Sequence, residues 1–299
     1  MMEELILSIV IVNYNSEKHL RDCLLSIEKF PPSKGDYEII VSDNGSCDNS
    51  LELLVREFPY VKVISNDENL GFSKAANKAI RISKGKYILL LNTDTELTQG
   101  TFDLMIDLLE NDPRIGVAGP MLLNRDGSVQ PSVRPLPTRT HLMLGRRSLL
   151  TNLAYFRRKS ARLRLIAEDI VEADLVSGGA MFIRRDAINE IGLLDERFFL
   201  YMEDVDLCRR MKEAGWKVVY NPHAKIIHHW EGTSSKQRRR AFLKHHISIY
   251  KYFQKYEPGF FRNLPLAIAL VVHYLCWWVY SLFESSSPPK RIENGSWRK

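Results

Sequence analysis

Three carboxylates, Glu203, Asp204 and Asp206, fall within four residues at the start of a helix-like stretch, directly after the aromatic run Phe198-Phe199-Leu200-Tyr201. A helix N-terminus favours ionised carboxylates, but capping needs only one of them, and apolar residues beside them would exclude water; a general base is as good a reading as dipole compensation. A further acid, Asp94, follows the apolar run Tyr87 to Leu91 through Asn92 and Thr93. It suits Mg2+ or Mn2+ as a hard oxygen ligand, although Thr93-Asp94-Thr95 taken alone favours a cap on the turn into the next helix. His228 and His229 close another apolar stretch, Lys217 to Ile227, and precede Trp230. Two imidazoles at a strand end, in a chain with several acids lacking an obvious partner, invite contact with a metal or a phosphate. Gly178 and Gly179 in DLVSGGAMFIRR would let backbone approach a ligand closely.

No Gly-x-Gly-x-x-Gly opens a helix and no Walker lysine loop is present. A diphosphate bound here would therefore have its charge met by a metal or by Arg and Lys side chains. The elements that must hold these residues alternate. Leu5 to Val12, Glu38 to Val41, Val61 to Ile64 and Tyr87 to Leu91 read as strands, and Ser16 to Phe30, Asn49 to Phe58, Ser73 to Ser83 and Gly100 to Glu110 as helices. Such alternation predicts an α/β fold with a mostly parallel central sheet flanked by helices, binding ligands at the carboxyl ends of its strands. The residues just past those ends are Asn13-Tyr14-Asn15, Asp43-Asn44-Gly45-Ser46 and Asn92-Thr93-Asp94.

The 299 residues are 45% hydrophobic and 26% charged, which excludes disordered, collagenous and disulfide-stapled classes. Four scattered cysteines without a Cys-x-x-Cys pair, and no secretory signal, suggest reduced thiols in the cytosol. A formal charge of +6 points to an anionic partner. Much of the excess lies in residues 134–166, where nine Arg and Lys from Arg134 to Arg164 alternate with apolar residues as in a membrane-surface helix. Leu264 to Phe283 runs 20 residues without a charge, carries Tyr274, Trp277, Trp278 and Tyr280 in its second half, and has basic flanks on both sides. It is long enough to cross a bilayer, and the symmetric flanks leave spanning and in-plane placements open. Nucleic acid ranks last among anionic partners, because the basic segment offers Leu and Met rather than base-stacking aromatics.

Taken together these motifs resemble glycosyltransferase family 2, with its GT-A nucleotide-diphospho-sugar-binding fold, from about Leu5 to Trp230. The matching stretches are IVNYN at Ile11 to Asn15, VSDNGSCDNS at Val41 to Ser50, NLGFSKAANKAI at Asn69 to Ile80, LNTDTEL at Leu91 to Leu97, VSGGAMFIRRDAINEIGLLDERFFLYMEDVDLCRR at Val176 to Arg210, and the His-His-Trp that follows. Within the family the chain is most similar to the bacterial rhamnosyltransferase branch that builds cell-wall and surface polysaccharides.

The resemblance implies a metal-dependent inverting transferase moving a sugar, first of all L-rhamnose from dTDP-rhamnose, onto a polyprenyl-diphosphate-linked saccharide. It implies that Tyr14 and Asn15 lie at the nucleobase, that Asp43 accepts from the pyrimidine N3–H, and that Asn69, Gly71 and Asn77 line the nucleotide and ribose. Asn92, Thr93, Gly178 and Gly179 would complete the donor site. Asp94 would ligate Mg2+ or Mn2+ with help from His228, Asn92 replacing the first Asp of the family's Asp-x-Asp motif. Asp204 would be the catalytic base, with Glu203 beside it. Residues 1–235 would form the catalytic domain and 236–299 a basic, membrane-associating helical region at the cytoplasmic face of the cell membrane. The same fold with a UDP-hexose or UDP-N-acetylhexosamine donor is the main alternative, since uridine and thymidine present the same N3–H to Asp43. A nucleotidyltransferase would instead carry a Gly-rich basic first loop, and a noncatalytic membrane-bound module would not need Asp94, Asp204 and His228 together.

Overall fold

The computed structural model describes residues 5–139, 168–229 and 235–284. Its first strand, β1 (Leu5–Asn13), pairs in parallel with β2 (Asp36–Asp43) on one side and β4 (Tyr87–Asn92) on the other. β3 (Lys62–Ser65) extends the parallel group beyond β2. α1 (Glu17–Lys29), α2 (Ser50–Glu57) and α3 (Phe72–Ile82) make the crossovers. β1 is apolar on both faces because helices cover both: Leu7, Ile9 and Ile11 enter the main core with Leu20, Leu24 and Ile27 of α1, and Val10 is buried as well.

The second half of the sheet is mixed. β5 (Thr95–Leu97) and α4 (Thr101–Asn111) lead to β6 (Ile115–Leu123), followed by short β7 (Val129–Gln130) and β8 (Val133–Arg134). After residue 167 come β9 (Val171–Glu172), β10 (Leu175–Val176), β11 (Ala180–Arg184), α5 (Arg185–Ile191), α6 (Glu203–Glu213) and β12 (Lys217–His228). The sheet order is β3-β2-β1-β4-β11-β6-β12-β5, with β7 on β6 and β9 on β12; β8 and β10 form a separate pair. β11 enters antiparallel between β4 and β6, with Ala180 opposite Leu91. This insertion turns the Gly178-Gly179 loop toward the edge where β1, β2 and β4 end.

The four strands and four helices expected in the first 110 residues are all present, each within a few residues of its expected ends. Of the cationic amphipathic segment expected at 134–166, Arg134 to Arg139 are described and the remainder lies outside the described residues. The chain divides into two compact units, Met1–Gly232 and Thr233–Lys299. The second consists of α7 (Ser235–Tyr256) and α8 (Phe260–Glu284), the latter containing the apolar run.

Candidate active site

Strand register brings the candidates to one edge. Asn13 stands opposite Asp43 and Val12 opposite Asn92, so the loops after β2, β1 and β4 lie side by side. The first two are stitched together. The Asn13 amide donates to Asp43 Oδ1 (2.8 Å), the Ser46 N–H to Asp43 Oδ2 (3.0 Å), and the Cys47 N–H to Asn15 Oδ1 (2.7 Å). Asp43 is fully buried, Asn15 takes a left-handed φ of 50°, and Tyr14 between them is 40% exposed, its ring presented at the rim.

The third loop makes a tight return. Thr95 Oγ1 donates to the Asn92 carbonyl (2.6 Å), and the Asn92 N–H reaches the Gly179 carbonyl (3.1 Å). Asp94 does not cap a helix here: β5 follows it, and α4 begins later, behind Gly100 in the left-handed region. β5 pairs with the end of β12, His228 opposite Thr95, and the His229 N–H donates to the Asp94 carbonyl (2.8 Å). This register sets His228 Nε2 3.4 Å from Asp94 Oδ1.

The two histidines have separate tasks. His229 bridges Glu96 (Nε2 to Oε1, 2.6 Å) and Arg125, whose Nε donates to its Nδ1 (2.8 Å). His228 is buried and bonds through Nδ1 to Gln130 Oε1 (2.9 Å). The other end of that amide donates to the His228 carbonyl (2.6 Å) and to Asn124 Oδ1 (2.8 Å). A backbone carbonyl can only accept, so Gln130 Nε2 must donate there and Oε1 must accept. His228 Nδ1 therefore carries a proton, and Nε2 is the ring nitrogen turned toward the Asp94 carboxylate. In the neutral imidazole that nitrogen is an acceptor, and with the carboxylate it could share a cation at this distance. Gln130 was invisible in the sequence, where an amide in a short polar stretch carries no signal.

On the other side of the glycine pair stands Asp204. Its Oδ2 accepts from the Gly178 N–H (3.2 Å) and its Oδ1 from the Val205 N–H (2.8 Å). A Cβ on Gly178 would lie 3.1 Å from Asp204 Cβ, and one on Gly179 would lie 3.6 Å from His228 Nε2. Consecutive glycines thus touch the acid and the imidazole, and the two groups belong to one site. Arg134, which the sequence reading assigned to the cationic segment, sits on β8 with Nη2 3.9 Å from Asp204 Oδ2.

The carboxylate cluster divides by function. Asp206 is fully buried and bonds Arg210 Nε (2.7 Å), whose other nitrogens hold the carbonyls of Ile191, Gly192 and Leu193. It is a structural clamp. Glu203 is buried, with Oε2 lacking a hydrogen-bond partner; burial first, and the Asp204 charge second, hold its carboxyl well above the usual range. Tyr201 and Met202, just before α6, adopt φ of 65° and 71°. Two successive left-handed residues without a glycine mark a backbone that its surroundings force. Tyr201 is 44% exposed, and partial burial, followed by the charges of Glu203 and Asp94, raises its phenol.

Part of what forces this turn is α3. The Phe72 N–H donates to the Phe199 carbonyl (2.7 Å) and Ser73 Oγ to the Phe198 carbonyl (2.7 Å). Asn77 donates to the Leu194 carbonyl (2.9 Å) and Glu196 Oε1 (3.0 Å) and accepts from the Leu194 N–H (3.0 Å). Expected at the ribose, Asn77 is instead buried with its amide committed to the 194–196 loop. Gly71, expected beside it, is covered by Phe199: a Cβ there would meet the Phe199 carbonyl oxygen at 2.6 Å. Asn69 faces the second-strand loop, its Oδ1 accepting from Asn44 Nδ2 and the Gly71 N–H, each at 3.0 Å.

The Tyr14–Asp43 loops, the Asp94–His228 pair and the Asp204 carboxylate thus converge at the ends of the parallel strands, and the family model described as glycosyl transferase family 2 matches residues 8–192. The chain belongs to this family. Among its relatives, N-acetylglucosaminyl-diphospho-decaprenol L-rhamnosyltransferase of Mycobacterium tuberculosis is 29% identical over 273 residues, 86% of this chain and 87% of that protein. Two solved GT-A enzymes share the fold. GalNAc-T7 with UDP, GalNAc and Mn2+ superposes with a TM-score of 0.59 at 17% identity, over 94% of this chain and 58% of that one. The mannosyltransferase PcManGT of Pyrobaculum calidifontis, with GDP-Man and Mn2+, gives 0.58 at 13% identity, over 96% and 82%. The protein is a GT-A glycosyltransferase.

In this glycosyltransferase no group of three or more His, Cys, Asp or Glu is arranged to hold a metal ion among the described residues. Asp94 and His228, with the imidazole tautomer set by Gln130, fit a divalent cation as a two-residue partial shell. A cation held this way would need further ligands from outside the chain, such as phosphate oxygens and water.

Proposed function

We propose that this family 2 glycosyltransferase moves L-rhamnose from dTDP-rhamnose onto a polyprenyl-diphosphate-linked saccharide, with inversion, in cell-wall or surface polysaccharide synthesis at the cytoplasmic face of the membrane. The observation that carries the reading is the glycine pair flanked by Asp204 on one side and the Asp94–His228 pair on the other. Support for the sugar and acceptor comes from the mycobacterial relative, whose name specifies a rhamnosyltransferase on a decaprenyl-diphosphate-linked N-acetylglucosamine and whose length this chain nearly matches.

The chemistry follows from the positions. The nucleobase lies on Tyr14 with its N3–H toward Asp43. Asp94 and His228 would hold Mg2+ or Mn2+, whose charge would offset that of the departing diphosphate. Asp204 takes the proton of the acceptor hydroxyl as its oxygen bonds to the anomeric carbon, and the anomeric C–O bond breaks with its electron pair leaving on the nucleoside diphosphate. One displacement and no enzyme-bound sugar inverts the anomeric centre. The two backbone N–H bonds on Asp204 hold it aimed, as a base requires.

A panel of dTDP- and UDP-sugars with Mg2+, Mn2+ or chelator, scored by nucleoside diphosphate release with and without a polyprenyl-diphosphate N-acetylglucosamine acceptor, tests the reading. Acceptor-dependent release of dTDP from dTDP-rhamnose is expected. Turnover of UDP-hexoses alone would move the donor to uridine, and undiminished turnover in chelator would remove the metal.

A further inference from the structure

The C-terminal unit bears on how such a chain would meet a membrane. This inference rests on the membrane placement proposed above, and it settles a choice that the apolar run left open. α8 is 25 residues long, or about 37 Å at ~1.5 Å per residue, enough to cross a hydrocarbon layer of ~30 Å. Its apolar window Phe260–Val279 is only 6% buried, so a wide arc that includes Phe261, Ile268, Val271, Val272 and Leu275 faces outward.

α8 is not alone. α7 turns back on it through Glu257 to Gly259, where Asn263 Nδ2 holds the Glu257 and Gly259 carbonyls (2.9 Å each) and Arg262 pairs with Glu257 (3.1 Å). Further along, His246 Nε2 meets His273 Nδ1 at 3.0 Å, and Phe242 packs on Trp277 with ring centroids 4.2 Å apart. These contacts fix an antiparallel hairpin in which Phe242 is level with Trp277 and His246 with His273. By the same register Lys244 comes level with about residue 275, Lys251 with about 268 and Lys255 with about 264. α7 contains Arg239, Arg240, Lys244, Lys251 and Lys255 and not one acidic residue.

If α8 stood across the bilayer, α7 would go with it. Lys244 and Lys251 would be carried to the level of the middle of the apolar run with no acidic residue on α7 to accompany them, which hydrocarbon disfavours. Laid flat, the same hairpin sinks the apolar arc of α8 to the acyl boundary and leaves α7 on the water side, where its cations are attracted to an anionic surface. We propose that α7 and α8 form a hairpin lying in the plane of one anionic leaflet, α8 in the interface and α7 above it over the lipid phosphates, and that the chain does not cross the membrane.

The test uses the full chain with nitroxide labels placed singly at Leu264, Ile268, Val271, Leu275 and Val279 of α8 and at Lys244 of α7, on vesicles of phosphatidylcholine with and without 30 mol% phosphatidylglycerol. Expected are flotation with the anionic vesicles at least tenfold stronger than with neutral ones, one shallow depth for all α8 labels by oxygen and nickel accessibility, and a nickel-accessible label at position 244. Val272→Glu on the outward arc should weaken vesicle affinity at least tenfold; an unchanged affinity would overturn the burial of that arc. Flotation with α8 labels deepest at Val271 and shallow at both ends would overturn the flat geometry while leaving membrane association intact. No flotation with either vesicle would overturn the membrane reading itself. A lipid-free dimer that buries the same α8 labels would assign the arc to a second copy of the chain.

Discussion

Gly71→Ala separates two meanings of the NLGFSKAAN stretch. If Gly71 lines the nucleotide, alanine there should weaken nucleotide binding; the structure makes it the seat of the loop that carries Tyr201 and leads to Asp204. Gly71 has φ 85° and ψ 165°, a region essentially closed to side chains, costing about 1–3 kcal/mol. The new Cβ would also sit 2.6 Å from the Phe199 carbonyl oxygen and 2.7 Å from the Phe199 ring, and that backbone cannot yield without moving the whole turn. Lifting the turn relieves the contact but gives up the Phe72 N–H to Phe199 and Ser73 to Phe198 hydrogen bonds, about 1 kcal/mol each. The cheapest response combines backbone strain with part of that loss, about 2–4 kcal/mol. At roughly 2–4 °C per kcal/mol for a unit of this size, Tm should fall by roughly 4–16 °C. A base displaced by about 1 Å loses roughly 10²-fold in turnover, so kcat should drop by that order while nucleoside diphosphate affinity, read by calorimetry with Mn2+, stays within about threefold. A tenfold or larger loss of nucleotide affinity, with Tm and kcat little changed, would refute the docking argument and restore Gly71 to the donor site.

The other substitutions discriminate between neighbours. Asp204→Asn should retain donor binding and lower kcat by about 10²–10⁴-fold, whereas Glu203→Gln, which mimics a protonated carboxyl, should be milder; equal losses in the two would make both carboxylates structural. Glu203 also gives a pH signature. Its folded-state carboxyl titrates above the unfolded one, so its ionisation costs stability as pH rises from the ordinary carboxylate range through the raised value. Glu203→Gln should therefore match the wild type in Tm near pH 4 and exceed it increasingly toward alkaline pH, and parallel Tm curves would show that Glu203 is not held protonated. Gln130→Leu removes the acceptor for His228 Nδ1 and should weaken Mn2+ binding in the presence of dTDP by about 10–100-fold, measured by electron paramagnetic resonance; unchanged Mn2+ affinity would mean that the imidazole orientation does not depend on Gln130.

The parallel half of the sheet was legible because its signals are local. Leu5 to Val12 and Tyr87 to Leu91 are uninterrupted apolar runs, as strands covered on both faces must be, and the polar residues after them are where ligands bind. The glycine pair and the acids of α6 were also visible, since their residue types carry the chemistry. What the sequence did not show is which of several similar groups is spent on structure. Asp206 and Asp204 are two residues apart with the same chemistry, yet the fold gives the first to Arg210 and leaves the second facing Gly178. His228 and His229 likewise look equivalent until strand alternation sends them to Gln130 and Glu96. Asn77 and Gly71 carried a motif whose long-range partners, more than a hundred residues away, have no local trace.

Those distant partners explain why a strained turn precedes the base. Tyr201 and Met202 remain at positive φ because the segment before them is pinned to α3 and the segment after them, through Asp206 and Arg210, to the 191–193 loop. The turn has fixed ends and little slack. Asp204 is then held from a third direction by the Gly178 N–H, on the loop whose next residue lies against His228. As the proposed base, a carboxylate set by three separate anchors would reorganise little when the acceptor hydroxyl arrives, and loosening any one anchor should lower kcat more than it raises KM. α3 begins directly after the Asn69–Gly71 loop that bonds Asn44 of the second-strand loop. The position of the base is thereby mechanically tied to the loops assigned to the nucleotide, so ordering those loops by a bound donor should also tighten the turn that aims Asp204.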